Sequence, residues 1–179
     1  MTYLSSLPEG AVLLDVFRAY PETARPLLDY HQALMRGPSP LSVAERELIA
    51  AYVSGLNACR YCHGVHAATA QAFGIGAGTL GALLADVGAA PVAERMKPLL
   101  RYARKLTLTP AKITPADAEP VLAAGWEEQA LHDAVAVCGL FNLMNRLVEG
   151  LGIIAGEDYF SVAAGRLAGA GYAGLKALL

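Results

Sequence analysis

Leu13, Val16, Phe17 and Tyr20 recur at helical spacing before Pro21 punctuates the chain. A second periodic run, with Leu27, Leu28, Tyr30, His31, Leu34 and Met35, fits a helix opening at Pro21, and Pro26 marks a kink or a later start. Gly37-Pro38-Ser39-Pro40 breaks it. Ser42-Val43-Ala44-Glu45 then reads as a capping box, each side chain satisfying an exposed N–H of a helix start. The helix it opens carries Leu48, Ile49, Tyr52 and Val53, with Glu47 on the adjoining turn. Ser54-Gly55-Leu56-Asn57 predicts a break, and Asn57 as cap would put Ala58 at N1 and Cys59 at N2 of the next helix. That helix is expected to run to about Phe73, where Gly74-Ile75-Gly76-Ala77-Gly78 stops it.

Leu80–Val87 predicts a short helix closed by Gly88. Pro91 opens another, with Met96, Leu99, Leu100, Ala103 and Leu106 on one face and Glu94, Lys97, Arg101 and Arg104 on the other. Thr114-Pro115-Ala116-Asp117 is a second capping signal, for a helix ending near Gly125. The longest periodic segment runs from Glu127 to about Leu151 through Leu131, Ala134, Val135, Cys138, Phe141, Met144, Leu147 and Val148, and is expected to be a central core helix. The tail, Asp158 to Leu179, fits a last helix weakened by Gly165, Gly169, Gly171 and Gly174. Strand-type alternation bounded by hairpin turns does not occur. The expected fold class is all-α, a compact helical bundle forming one domain over residues 1–179.

Composition adds an assembly expectation and removes several function classes. Apolar residues make up 55% of the chain and charged residues 17%, against an ordinary ~45–50% and ~25%. The excess points to burial against a second copy, although alanine inflates the apolar count at little cost in area. A net charge of −2 with no run of Lys or Arg argues against nucleic acid as a partner. No basic region precedes Glu9 and Asp15, so no secretion signal is expected, and no apolar stretch is long enough to span a bilayer. A cytoplasmic protein with no membrane partner is the expectation. Three cysteines are no disulfide framework, but two of them form a CxxC, which reads as redox or metal chemistry.

The chemistry concentrates in Cys59-Arg60-Tyr61-Cys62-His63-Gly64-Val65-His66. On a helix the two thiols lie one turn apart, and His66 one turn further along the same face. A helix start stabilises a thiolate. His66 can take the Cys62 proton, a carboxylate such as Glu47 can orient the imidazole, and two thiols at this spacing can close into a disulfide. The dipole favours Cys59 as the better thiolate; the nearness of His66 favours Cys62. Structural zinc on Cys59, Cys62, His66 and either His63 or Cys138 lacks a second ligand pair from a distant segment, so neither metal nor cofactor is expected. Two cysteines that merely fill a core are the other alternative. Cys138 falls on an apolar stripe and reads as core, His31 as a surface or boundary residue, and His132 as solvent-facing beside Asp133. His63 lies off the His66 face, Tyr52 and Tyr61 read as packing residues, and Arg146 as a salt-bridge partner of Glu149.

At Glu47 and Cys59-x-x-Cys62-x-x-x-His66, set in Glu45-Arg46-Glu47-Leu48-Ile49-Ala50 and Val53-Ser54-x-x-Asn57, the chain resembles the alkyl hydroperoxidase D-like, or carboxymuconolactone decarboxylase-like, superfamily, and within it the peroxidase-related proteins. Lys105-Leu106-Thr107 before Thr114-Pro115, then Phe141-Asn142-x-x-Asn145-Arg146 and Leu151-Gly152, extend the likeness, giving a family-like core of about 38–152 and a helical extension over 153–179. The resemblance implies an all-helical homo-oligomer (dimer, trimer or hexamer) that reduces a hydroperoxide at the dithiol with electrons from an external dithiol or thiol reductant. By position, Cys62 would attack the peroxide, Cys59 would resolve the sulfenic acid, and Glu47 and His66 would belong to the proton relay. Better-characterised hydroperoxidases carry a histidine just before the second cysteine, where this chain has Tyr61. A redox-sensing or metal-binding oligomer without catalysis, or a decarboxylase-like activity in the same pocket, are the other readings; the decarboxylase branch typically lacks the dithiol.

Overall fold

A computed structural model describes residues 2–179, and every regular element among them is helical. In chain order these are α1 Leu13–Ala19, α2 Pro21–Arg36, α3 Val43–Leu56, α4 Arg60–Ala72, α5 Thr79–Ala85, α6 Met96–Leu108, α7 Pro115–Ala123, α8 Glu128–Gly150 and α9 Glu157–Lys176, with one 3-10 turn at Pro110–Lys112. No helix among the described residues is long and apolar enough to cross a membrane.

α3 is the axis of the bundle. Its capping box forms as the spacing predicts: Glu45 N–H donates to Ser42 Oγ at 3.2 Å and Ser42 N–H to Glu45 Oε2 at 2.7 Å. From Arg46 to Ser54 every residue is buried, with α4, α8, α6 and α5 packed around it. A helix enclosed on all sides is a core helix. The long α8, expected in that place, is one-sided instead: Ala134, Val137, Cys138, Phe141, Met144 and Val148 face inward, while Leu143, Arg146 and Glu149 face out. The break foreseen over Ser54-Gly55-Leu56-Asn57 falls at its last residue: Ser54 Oγ bonds back to the Ala50 carbonyl, the helix continues to Leu56, and Asn57 is its C-cap. Arg46 braces the turn before α3, its Nη1 donating to the carbonyls of Leu34 and Gly37 at 2.6 and 2.9 Å, which fixes the end of α2 beside α3.

Pro91 starts no helix. The chain bends at Pro91 and Val92 and turns at Glu94 and Arg95, and α6 opens at Met96. α7 is capped as expected, with Thr114 N–H on Asp117 Oδ2 at 2.8 Å.

The glycine-rich tail forms α9, one of the longest elements, and it packs against α4 and α2. Each glycine costs about 1 kcal/mol of helix propensity. Burying Phe160, Ala163, Ala164, Leu167 and Tyr172 returns ~1.5–3 kcal/mol for each large side chain, so tertiary packing wins. Gly64 makes that packing possible, because a Cβ there would lie 2.3 Å from the Phe160 ring. Of the tail's glycines only Gly171 leaves helical geometry, at φ +60°. The helix restarts after it on the side chain of Gln32, whose Oε1 accepts from Tyr172 N–H and Ala173 N–H at 2.9 and 3.0 Å.

Candidate active site

The start of α4 lies two residues later than the sequence suggests. Cys59 is the N-cap and Arg60 is N1, because Ala58 takes a left-handed conformation, φ +55°, and so stays outside the helix. That region is costly for a residue with a Cβ, and hydrogen bonds on both sides hold it. Ala58 N–H donates to the Gly55 carbonyl and Cys59 N–H to that of Ser54, each at 3.0 Å. Asn57, the expected cap, turns its side chain to α8, where Nδ2 donates to Asn142 Oδ1 at 3.1 Å and Asn145 Oδ1 at 2.8 Å. The dithiol therefore straddles the first turn of α4. Both thiols are free and buried, Cys59 completely so.

Glu47, from the middle of α3, has none of its surface exposed. Its Oε2 accepts from His66 Nδ1 at 2.7 Å, and its Oε1 meets Arg36 Nη1 at 2.7 Å in an ion contact. Burial alone would raise the carboxyl pKa, but the charge and hydrogen bond of His66, and then those of Arg36, outweigh it and hold the group below its ordinary value. The carboxylate only accepts, so His66 carries its proton on Nδ1 and, when neutral, offers Nε2 as a base. Phe141 meets the ring edge-on with centroids 4.4 Å apart.

The Cys62 thiol is pushed up. Its hydrogen bond with Cys59 contributes most, followed by burial and the charge of Cys59, against an opposing hydrogen bond from Asn145. Two adjoining buried thiols do not both ionise. Cys62 is thus not a standing thiolate, and a base must take its proton before it can attack. Asn145 is buried from α8, its Oδ1 occupied by Asn57 and its Nδ2 donating to Ser54 Oγ at 3.0 Å.

Cys62 and His66 open together onto a cavity of about 70 Å³ enclosed by α1, α2, α4, α8 and α9. Its walls are largely apolar, with Leu13, Phe17, Leu28, Val65, Phe141 and Met144 prominent among them. No direct hydrogen bond joins Cys62 to His66 among the described residues; they share the cavity instead. Tyr61 also lines it, with its hydroxyl committed: it accepts from Leu13 N–H at 3.3 Å and donates to Tyr159 Oη at 2.9 Å. Burial pushes its pKa far above the ordinary tyrosine range, so the phenol keeps its proton.

The structure thus brings Cys59, Cys62, His66 and Glu47 together and adds Arg36, Asn145 and His31. His31, expected at the surface or a boundary, is buried on the cavity wall. The signal was available in the stripe Ala24, Leu28, His31 and Met35, whose helical spacing places the imidazole on the buried face of α2. Nothing in the local pattern marks Arg36. His63 lies apart, its Nδ1 2.9 Å from the Ala51 carbonyl. Cys138 packs in the core with Thr107, and His132 is exposed beside Asp133. Arg146 bonds within α8 to Asn142, to its carbonyl at 2.6 Å and Oδ1 at 3.0 Å, rather than to Glu149.

Residues 21–105 match the model of the carboxymuconolactone decarboxylase family, a span holding Glu47, both thiols and His66. Among solved structures, an uncharacterized peroxidase-related protein from Silicibacter sp. TM1040 superposes with a TM-score of 0.76 at 29% identity, over 83% of this chain and 78% of that one. An uncharacterized peroxidase-related protein from Ralstonia eutropha JMP134, described as an alkylhydroperoxidase AhpD core, gives 0.76 at 25% identity, over 84% and 78% of the two chains. A protein of unknown function from Agrobacterium tumefaciens shares the fold at 17% identity, with a TM-score of 0.68 over 82% of this chain and 99% of that one. No curated protein matches the chain. The family model thus covers the stretch of chain that holds the dithiol, Glu47 and His66, and the helical fold is similar to that of the peroxidase-related neighbours.

Proposed function

We propose that the protein is a thiol-dependent peroxidase, a disulfide oxidoreductase that reduces hydroperoxides at Cys62 and Cys59. One observation carries this reading: Cys62 and His66 line the same cavity, and the tie of His66 Nδ1 to Glu47 leaves Nε2 free for the thiol proton. His66 takes that proton, and Glu47 stabilises the imidazolium. The Cys62 sulfur then attacks the terminal oxygen of ROOH. An S–O bond forms, the O–O bond breaks, and the departing RO⁻ takes the proton from His66 to leave as ROH. Cys59 attacks the Cys62 sulfenic acid, closing the disulfide and releasing hydroxide, which leaves as water with the Cys59 proton. An external dithiol or thiol restores both thiols by exchange.

We place this activity in the cytoplasm, where such a reductant is held reduced, and in a homo-oligomer. Apolar groups such as Ile154 and Val162 remain more than half exposed in the single chain, in keeping with a further interface.

Consumption of tert-butyl hydroperoxide by the purified protein with excess dithiothreitol tests the reading. Wild type is expected to turn over and Cys62→Ser to fall to the uncatalysed rate. Without reductant, Cys59→Ser is expected to give one turnover and stop at the sulfenic acid. Equal consumption by wild type and Cys62→Ser would remove the assignment.

A further inference from the structure

Tyr61, beside the second cysteine, has its hydroxyl already engaged by Leu13 and Tyr159. The structure supplies another imidazole from a different element. We propose that His31 is a second catalytic imidazole of the cavity, its Nε2 accepting a hydrogen bond from the O–H of the bound hydroperoxide and so presenting that oxygen to Cys62. The proposal rests on the peroxidase reading and adds to it a residue that touches the substrate.

His31 lies on the buried stripe of α2, with 3% of its surface exposed, and it lines the cavity together with Cys62 and His66. Its Nδ1 sits 2.8 Å from the Leu27 carbonyl on the preceding turn. A carbonyl only accepts, so Nδ1 carries the proton and the neutral ring keeps its lone pair on Nε2. No side chain among the described residues pairs with that nitrogen. Burial lowers the pKa of the ring to about 4, the Leu27 hydrogen bond opposing, so the acceptor form persists at neutral pH. Aromatic neighbours hold the ring in place: Tyr172 packs against it with centroids 4.9 Å apart, and Phe141 meets it edge-on at 6.2 Å.

His66 has the same posture, with Nδ1 committed and Nε2 free. The cavity thus offers two imidazole acceptors to two protons, the S–H of Cys62 and the O–H of a hydroperoxide. In an otherwise apolar enclosure an unmatched acceptor is costly, and a ligand that donates one hydrogen bond relieves it. His31 gains and loses no bond in the reaction. It holds the hydrogen of the attacked oxygen, which stays on that oxygen as the sulfenic acid forms, while the leaving oxygen takes its proton from His66. The titratable groups around it are Glu47 of α3, Tyr61, Cys62 and His66 of α4, and Tyr172 and Arg166 of α9; α8 contributes Phe141 and Met144.

Two rates test the proposal on the full-length protein: single-turnover oxidation of Cys62 by tert-butyl hydroperoxide, and alkylation of Cys62 by iodoacetamide, which has no O–H to present. His31→Phe is expected to slow the peroxide reaction by about 100-fold and to leave alkylation unchanged. His31→Gln, which keeps an acceptor, is expected to recover part of the peroxide rate. Circular dichroism checks the fold, and His31→Met takes the place of His31→Phe if the latter does not fold. A peroxide rate in the apolar variants equal to wild type, a parallel fall in both rates, or a glutamine variant no better than the apolar ones would overturn the role of His31. Wild type inert to peroxide would overturn the peroxidase reading and this role together. Reactive wild type with inert Cys62→Ser leaves His31 alone in question.

Discussion

Glu47 carries its negative charge out of reach of water and keeps it because Arg36 and His66 each contact one of its oxygens at 2.7 Å. Taking one partner from a buried ion group costs more than the group contributes, since the remaining charge stays desolvated. Arg36→Met is therefore expected to lower unfolding stability by about 3 kcal/mol, read as a fall in the urea midpoint at unchanged slope. Equal midpoints would mean that His66 alone suffices for Glu47. The sequence places Glu47, Cys59, Cys62 and His66 within a short reach of chain, where helical spacing makes their meeting legible. Arg36 reaches the site only because Arg46 ties the end of α2 against α3, a tertiary arrangement that no local period reports. His31 was legible in principle, but the polarity of an imidazole on an apolar stripe masks its burial.

At the scale of elements, the contact of α4 with α9 turns on the missing side chain of Gly64. Gly64→Ala would drive a methyl group to 2.3 Å from the Phe160 ring. The expected cost is ~1–3 kcal/mol, with faster alkylation of Cys62 as α9 is pushed off the cavity. Thermal unfolding and iodoacetamide kinetics measure the two effects, and a variant as stable as wild type with an unchanged rate would show that Phe160 swings aside freely. Caps were the most readable features of the elements, because Ser42 with Glu45 and Thr114 with Asp117 complete their hydrogen bonds within four residues. The start of α4 was displaced by two residues because Ala58 accepts a left-handed conformation that alanine rarely takes. α9 was the hardest to read. Its glycines weaken the local signal, and the packing of Phe160 and Leu167 that overcomes them belongs to other parts of the chain.

For the whole molecule, His31 and Glu47 make stability fall in acid. The folded pKa of His31, about 4, lies below its unfolded value near 6.5, so the unfolded chain binds more protons between these limits. The contribution of His31 is complete above pH 6.5 and is lost as pH falls toward 4. Glu47, also depressed in the folded state, acts in the same direction at lower pH. Unfolding free energy is expected to drop by about 2 kcal/mol from His31 alone between about pH 7 and about pH 5. Urea titrations at the two pH values measure it, and in His31→Gln the slope over that interval is expected to flatten; an equally steep slope would place the linked proton elsewhere. The all-helical class was readable from periodicity throughout, whereas the choice of α3 over α8 as the enclosed helix depended on what surrounds each of them.

The cover of the cavity has a consequence for the protein's synthesis. Cys59 and Cys62 precede α9, which closes the space beside them, by most of the bundle. At ~5–20 residues per second, a separation of roughly a hundred residues leaves the nascent dithiol without that cover for about 5–20 s. During that interval the thiols of each new chain depend on the reducing power of their surroundings, and the emergence of α9 ends that dependence.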